Sequence, residues 1–223
     1  MADILNNLLF LVFPYLALTV FVVGHAYRYV TDWRHWNAKS SEFLHKDSLK
    51  YGITIFHWGA LLTLLGHAGG MLIPQRFYDI VGINAHAHEL LAYRAGLLAG
   101  LFMVPGIVWL LVRRLRQERI AANTSANDYV LLVFLLIVSG IGMYNVIFTQ
   151  YDILYSVAPW IRSIVILAPA PELMAPVPVS YKLHVLAALA LLGYSPFTRL
   201  VHIWSVPVTY LYRQYIVFRR RLA

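Results

Sequence analysis

The chain has 223 residues, of which 60% are hydrophobic and only 13% are charged, whereas about 25% of the residues in soluble domains are charged. This composition predicts an integral membrane protein, and the absence of cysteine excludes disulfides, thiolate metal sites and iron–sulfur clusters held by this chain. The net charge of +8 is explained by membrane orientation, so we expect no nucleic-acid partner.

Five apolar stretches approach or exceed the length of about 20 residues that a helix needs to cross a bilayer. In chain order, the predicted spans are 4–27, 51–73, 90–112, 129–148 and 183–206. The fifth reaches this length only because its apolar pattern resumes at Leu200, after Arg199. The first is not a cleaved signal, because it lacks a basic start. We therefore predict an all-α protein in which residues 1–223 form one five-helix transmembrane bundle.

The connections between the spans differ in their basic residues and in their prolines. Basic side chains follow the first, third and fifth spans: Arg28, Arg34, Lys39, Lys46, Lys50, Arg113, Arg114, Arg116, Arg119, Arg213, Arg219, Arg220 and Arg221. Since basic loops stay in the cytoplasm, the N-terminus is predicted outside and the C-terminus inside. The proline-rich fourth connection is predicted to be irregular, with little helix, whereas neighbouring helices are expected to accommodate the prolines inside spans, such as Pro196.

Four histidines lie inside predicted spans, where ionisable side chains are costly and usually functional. His57 and His67 belong to the second span, and His184 and His202 to the fifth. Because these spans run in opposite directions, we expect His57 opposite His202 and His67 opposite His184. Along a regular helix, His57 and His67 would be separated by about 15 Å, and His184 and His202 by about 27 Å. The helical repeat would place His184 and His202 on one face after about five turns, whereas His57 and His67 would lie about 80° apart around the helix axis.

Two imidazoles at each of two depths favour haem over other metal centres. Zinc and copper usually take more protein ligands, and the five spans contain no Cys, Asp or Glu. Two axial histidines suit a low-spin haem that transfers electrons, because no coordination position stays open. Arg199, one turn before His202, could pair with a haem propionate or anchor the helix at the interface. Nearby glycines suit either a porphyrin or plain helix packing: Gly59, Gly66, Gly69 and Gly70.

Two further histidines, His86 and His88, lie in INAHAHEL on the predicted outer side, near His67. Residues two apart on a helix do not face one another, so they are not expected to form a metal pair. Histidine titrates near neutral pH, which makes proton handling the functional hypothesis for them. For any single histidine in a span, an interhelical hydrogen bond is the alternative.

In the stretches FHWGALLTLLGH, YKLHVLAALA and SPFTRLVHIWSVPVTYL, the chain resembles the gamma subunit of membrane-bound respiratory nitrate reductases. That subunit is a dihaem cytochrome b. The resemblance covers nearly the whole chain, and FTRLVHIWSVPV is its most specific piece. It implies a multi-pass protein of the bacterial inner membrane, surrounded by lipid and bound to an iron–sulfur beta subunit and a molybdenum alpha subunit.

The resemblance also implies roles for individual residues. His57 and His202 would be the iron ligands of a proximal, inner b-type haem, and His67 and His184 those of a distal, outer one. Menaquinol or ubiquinol would be oxidised beside the distal haem, with His67, His86 and His88 as candidates for the quinol site. Some relatives have lysines in that outer loop, whereas this chain has none.

Two other functions are compatible with the same bundle. One is the cytochrome b subunit of a different quinone-linked enzyme, such as a formate dehydrogenase, a hydrogenase or a thiosulfate reductase. The other is a non-redox transporter or anchor, in which the histidines serve protons or packing. The FTRLVHIWSVPV string favours nitrate reductase.

Overall fold

The fold is known from a computed structural model, which describes residues 2–38 and 46–204. Within these residues the secondary structure is entirely helical. The α-helices are α1 (Ala2–Asn7), α2 (Phe13–Asp32), α3 (Lys46–His67), α4 (Gln75–Ile80), α5 (Ala85–Arg116), α6 (Glu118–Ala121), α7 (Ala126–Tyr144), α8 (Val157–Val165) and α9 (Val179–Tyr194). The all-α prediction is therefore confirmed for the described residues. The predicted basic positions 39 and 213–221 lie outside them.

Four helical stretches in the described part of the chain are long and apolar enough to cross a membrane. They are Asp3–His35, Leu49–Leu72, Ala85–Arg116 and Ala126–Thr149, and they match the first four predicted spans. Short π segments continue α3 and α7 to the ends of these stretches. The helices extend beyond the uncharged runs, so that Arg28 lies on α2, and Arg113 and Arg114 on α5. Arginine is a good helix former whose long side chain reaches the interface.

The fifth predicted span, 183–206, is not a continuous α-helix. Helix α9 ends at Tyr194, and 3-10 segments follow at Ser195–Phe197 and Arg199–Trp204. Between them Thr198 is extended, with φ −123° and ψ −178°. Pro196 has no backbone N–H to continue the helical ladder, which explains the break. The prediction that five regular turns join His184 to His202 is therefore wrong, and positions 205 and 206 lie outside the described residues.

The fourth connection contains more helix than its prolines suggest. The nine-residue helix α8 tolerates Pro159 because proline fits the first turn, where the backbone N–H has no helical partner. Trp160 on this helix is 2% exposed, and its indole N–H donates to the Phe10 carbonyl at 2.9 Å. The Phe10 ring packs edge-on against it, with ring centres 5.9 Å apart. The prediction of little helix is wrong, because this connection folds back into the core.

Glycines bring α3 and α5 into close contact. A methyl group at Gly59 would lie 2.4 Å from the Met103 nitrogen, and one at Gly106 would lie 2.7 Å from the Cα of Phe56. Small residues at such crossings let the backbones of membrane helices approach. This contact fixes the part of α3 that carries His57, the neighbour of Phe56.

Candidate functional site

The four histidines of the predicted spans form two pairs. The ring centres of His57 and His202 are 6.3 Å apart, with their planes inclined by 62°. Those of His67 and His184 are 6.0 Å apart, with an angle of 33°. Helix α3 therefore runs antiparallel to the segment from α9 to Trp204, and each histidine faces the partner expected from the sequence.

The spacing within each pair suits a metal between the rings. At ring-centre distances of 6.0 and 6.3 Å, the nearest nitrogens of a pair are at least about 3.7 Å apart, which is too far for a direct hydrogen bond. Two imidazoles on opposite sides of one ion, with metal–nitrogen bonds of about 2.0 Å, have ring centres about 6.3 Å apart. The geometry therefore fits axial ligation better than a hydrogen bond between the two rings.

All four rings also direct the same nitrogen to a backbone carbonyl. The Nδ1 atoms of His57, His67, His184 and His202 lie 2.7, 2.7, 3.1 and 2.6 Å from the carbonyl oxygens of Ile53, Thr63, Val138 and Arg199, respectively. A carbonyl oxygen only accepts, so Nδ1 is the protonated donor and Nε2 carries the lone pair. A second-sphere hydrogen bond of this kind fixes the tautomer and the orientation of a metal-binding histidine.

The number of ligands fits haem as the group that the pairs could hold. Among the described residues, no three His, Asp or Glu side chains converge in a way that could hold a metal ion, whereas zinc sites take at least three protein ligands. Haem iron needs only two axial ligands from the protein. The residues present therefore fit a bis-histidine haem at each pair.

The glycines near the histidines divide into two kinds. Gly59 serves the packing of α3 on α5, as described above. A methyl group at Gly66 or Gly70, beside His67, would meet no atom within 4 Å. On α7, a methyl group at Gly142 would lie 2.9 Å from Cε1 of His184. Gly142 thus lets the His184 ring lie against α7, while Gly66 and Gly70 leave the surface beside His67 without side-chain bulk.

Arg199 pairs with a residue that the sequence analysis missed. Its Nη2 and Nε atoms lie 2.6 and 2.9 Å from Oδ1 of Asp128, and its Nη1 donates to the Ala38 carbonyl at 3.2 Å. Asp128 is 6% exposed and also forms a capping box with Ser125 at the start of α7. The Ser-x-x-Asp spacing indicates that cap, but no local pattern indicates a partner 71 positions away. The propionate role of Arg199 stays a prediction.

His86 and His88 lie in different surroundings at the start of α5. His86 is exposed, whereas His88 is 4% exposed and packs against Tyr78 with ring centres 4.6 Å apart. The Tyr78 hydroxyl donates to the Gly69 carbonyl at 2.5 Å, two residues after His67. Burial raises the pKa of Tyr78 above its ordinary value, which keeps the phenol protonated as a donor. Tyr78, unnoticed in the sequence, thus links His88 to the end of α3, and the quinol role of these residues stays a prediction.

Comparison with known proteins identifies the family of this chain. The family described as nitrate reductase gamma subunit matches residues 6–221. The nitrate reductase gamma chain of Bacillus subtilis is 41% identical over 97% of this chain and 99% of its own length. The respiratory nitrate reductase 1 gamma chain of Escherichia coli is 32% identical over 97% and 98%. The nitrate reductase-like protein NarX of Mycobacterium tuberculosis is 35% identical over 98% of this chain but only 34% of its own length. On these matches, the chain belongs to the nitrate reductase gamma subunit family.

Proposed function

We propose that this chain is the membrane anchor and quinol-oxidising dihaem cytochrome b subunit of a respiratory nitrate reductase. The observation that carries the proposal is the pairing of His57 with His202 and of His67 with His184, at ring-centre distances of 6.3 and 6.0 Å. Two histidine pairs on antiparallel segments, spaced to hold a metal between their rings, favour a redox role over a plain anchor. Family membership favours nitrate reductase over other quinone-linked enzymes.

In this proposal each pair holds one b-type haem. His57 and His202 hold the proximal group, and His67 and His184 the distal one, with Nε2 as the ligating atom in every case. Bound there, haem supplies one-electron transfer, and the two imidazoles leave no open position for oxygen or nitrate. The hydrogen bonds from Nδ1 to backbone carbonyls support the proposal, because they hold each ring in the tautomer that a metal requires.

Menaquinol or ubiquinol is proposed to be oxidised on the distal side, near His67. The His88 ring, the Tyr78 hydroxyl and the Gly69 carbonyl lie next to one another there. Oxidation of a quinol releases two protons together with its electrons. We propose that His86, which is exposed at the start of α5, passes such protons to solvent.

The proposed orientation places the distal pair outside and the proximal pair near the cytoplasm of a bacterial cell. Arg28, near the C-terminal end of α2, and the arginines in the last turn of α5 support it through the positive-inside rule. In this orientation the segment that carries His202 lies on the side where the iron–sulfur beta subunit and the molybdenum alpha subunit dock. Nitrate is then reduced in the alpha subunit, and lipid surrounds the exposed apolar faces.

The test uses the purified complex and a dithionite-reduced minus oxidised visible spectrum. Bands of b-type haem, equal to two haems per gamma subunit, are expected. A single His57→Ala or His202→Ala substitution should remove one haem, and the two combined should remove no more. His67→Ala and His184→Ala should together remove the other haem and abolish quinol-dependent nitrate reduction. His35→Ala, in an exposed position, is the control.

Two results would overturn the proposal. One is a wild-type complex without b-type bands. The other is a double His57→Ala, His184→Ala variant that loses only one haem, because this would contradict the antiparallel pairing.

A further inference from the structure

The ligand segment that carries His202 is irregular. It is a 3-10 segment of six residues, Arg199–Trp204, which follows the break after α9. Short 3-10 segments have poor hydrogen-bond geometry and little stability of their own. The position of the His202 ring therefore depends on contacts from other helices.

Helix α2 supplies the first of these contacts. Nη1 of Arg28 donates to the carbonyls of Pro196 and Thr198 at 2.7 and 2.8 Å, and Nη2 donates to the His35 carbonyl at 3.2 Å. The Arg28 side chain is only 14% exposed. One turn earlier, a methyl group at Gly24 would lie 2.9 Å from the ring of Pro196. Gly24 thus makes room for the proline that follows the end of α9, and Arg28 binds two carbonyls of the break.

The start of α7 supplies the second set. Nδ2 of Asn127 donates to the Phe197 carbonyl at 2.8 Å, so that three consecutive carbonyls of the break each accept a side-chain donor. Oδ1 of Asn127 accepts from the Tyr194 hydroxyl at the end of α9. The next residue, Asp128, forms the buried ion pair with Arg199. We call Arg28, Asn127 and Asp128 the polar clamp.

The clamp reaches the histidine through one backbone group. The Arg199 carbonyl accepts from Nδ1 of His202 at 2.6 Å, and the Arg199 side chain is held by Asp128. Beyond His202, the Trp204 ring packs edge-on against Phe21 of α2, with ring centres 5.5 Å apart. The 3-10 segment is thus held on both sides of the histidine, and any shift of the break changes the direction of its ring.

We propose that the polar clamp is the positioning device of the proximal site, which sets the direction of the His202 imidazole and hence the properties of the haem bound there. The inference rests on the proposed function. It gives Arg28 a role beyond its positive charge at the cytoplasmic end of α2. It also predicts that weakening the clamp alters the proximal site alone, because His67 and His184 lie on the regular helices α3 and α9.

The test measures the low-spin EPR signal and the midpoint potential of each haem in the assembled complex. Arg28→Met removes the donors and keeps the apolar stem, while Asn127→Asp keeps the acceptor and removes the donor to Phe197. Both variants should shift the signal and the potential of the haem that His202→Ala removes, and should leave those of the other haem unchanged. Arg28→Lys should produce a smaller shift than Arg28→Met, because its ammonium still donates to a carbonyl. A shift should remain, because one ammonium cannot reach as many carbonyls as the guanidinium. Arg34→Gln, at an exposed arginine near the same helix end, is the control.

Three outcomes would overturn the inference. In the first, both signals shift equally, which indicates a general effect on the bundle. In the second, neither signal shifts. In the third, Arg34→Gln produces the same shift as Arg28→Met. If Arg28→Met does not assemble, Asn127→Asp decides among these outcomes. Absence of haem from the wild type is a different result, because it rejects the proposed function rather than the role of the clamp.

Discussion

A substitution at Gly142 tests whether α7 fixes the distal pair. In Gly142→Ala, the new methyl group would lie 2.9 Å from Cε1 of His184 and 3.4 Å from Nδ1. Carbon atoms pack at about 3.5–4.0 Å, so the ring has to move by about 0.6–1 Å. Such overpacking costs about 1–3 kcal/mol. The move also strains the hydrogen bond from Nδ1 to the Val138 carbonyl, which already measures 3.1 Å.

A displacement of that size is large for a metal–imidazole bond of about 2.0 Å. Under the proposed function, Gly142→Ala is therefore expected to lower the content of the distal haem or to shift its spectrum, and to slow quinol oxidation, while the proximal haem is retained. The measurement is the haem-to-protein ratio together with the reduced minus oxidised spectrum. Gly140→Ala is the matched control, since a methyl group there meets no atom within 4 Å. Both variants gain the same helix propensity, about 1 kcal/mol. Equal haem content and equal spectra in the two variants would refute the reasoning.

Three further predictions concern helix packing and the contacts of Tyr78. Gly59→Val should lower the thermal midpoint of the complex by an amount equivalent to about 1–3 kcal/mol, because it forces α3 away from α5, whereas Gly66→Ala should not. Trp160→Phe should cost about 1–3 kcal/mol in denaturant unfolding, because the carbonyl that accepts its indole N–H stays buried without a donor. Tyr78→Phe should retain both haems but change the KM for quinol, and an unchanged KM would place the quinol elsewhere.

The sequence contains enough information for the spans and the histidine pairs. Four spans follow from apolar length alone, and the pairing follows once two spans are antiparallel and each has a histidine at two depths. Neither inference needs side-chain detail. His57 and His202 face each other as predicted, although the regular helix predicted between His184 and His202 is interrupted. The reason is that α3 and the segment that carries His202 still run side by side.

The sequence does not show which residues that are far apart along the chain come into contact. Pro196 is visible as a possible break, but the Arg28 side chain that donates to its carbonyl lies 168 positions away. Arg199 is visible as a buried charge, but its partner Asp128 belongs to the cap of another helix. Gly59 and Gly66 look alike in the sequence, and only the position of Met103 shows which one serves packing.

The two histidine pairs share helix α3, but their partner rings are held by different parts of the structure. Helix α3 carries one ring of each pair, and its rise fixes their separation at about 15 Å. The partner rings are held independently: His184 lies against Gly142 on a regular helix, whereas His202 lies on a 3-10 segment held from α2 and α7. The angle between the two ring planes is 33° in the His67–His184 pair and 62° in the His57–His202 pair. Under the proposed function, in which each pair holds a haem that is tuned by the orientation and hydrogen bonding of its histidines, each site can be adjusted alone while the distance between them stays constant.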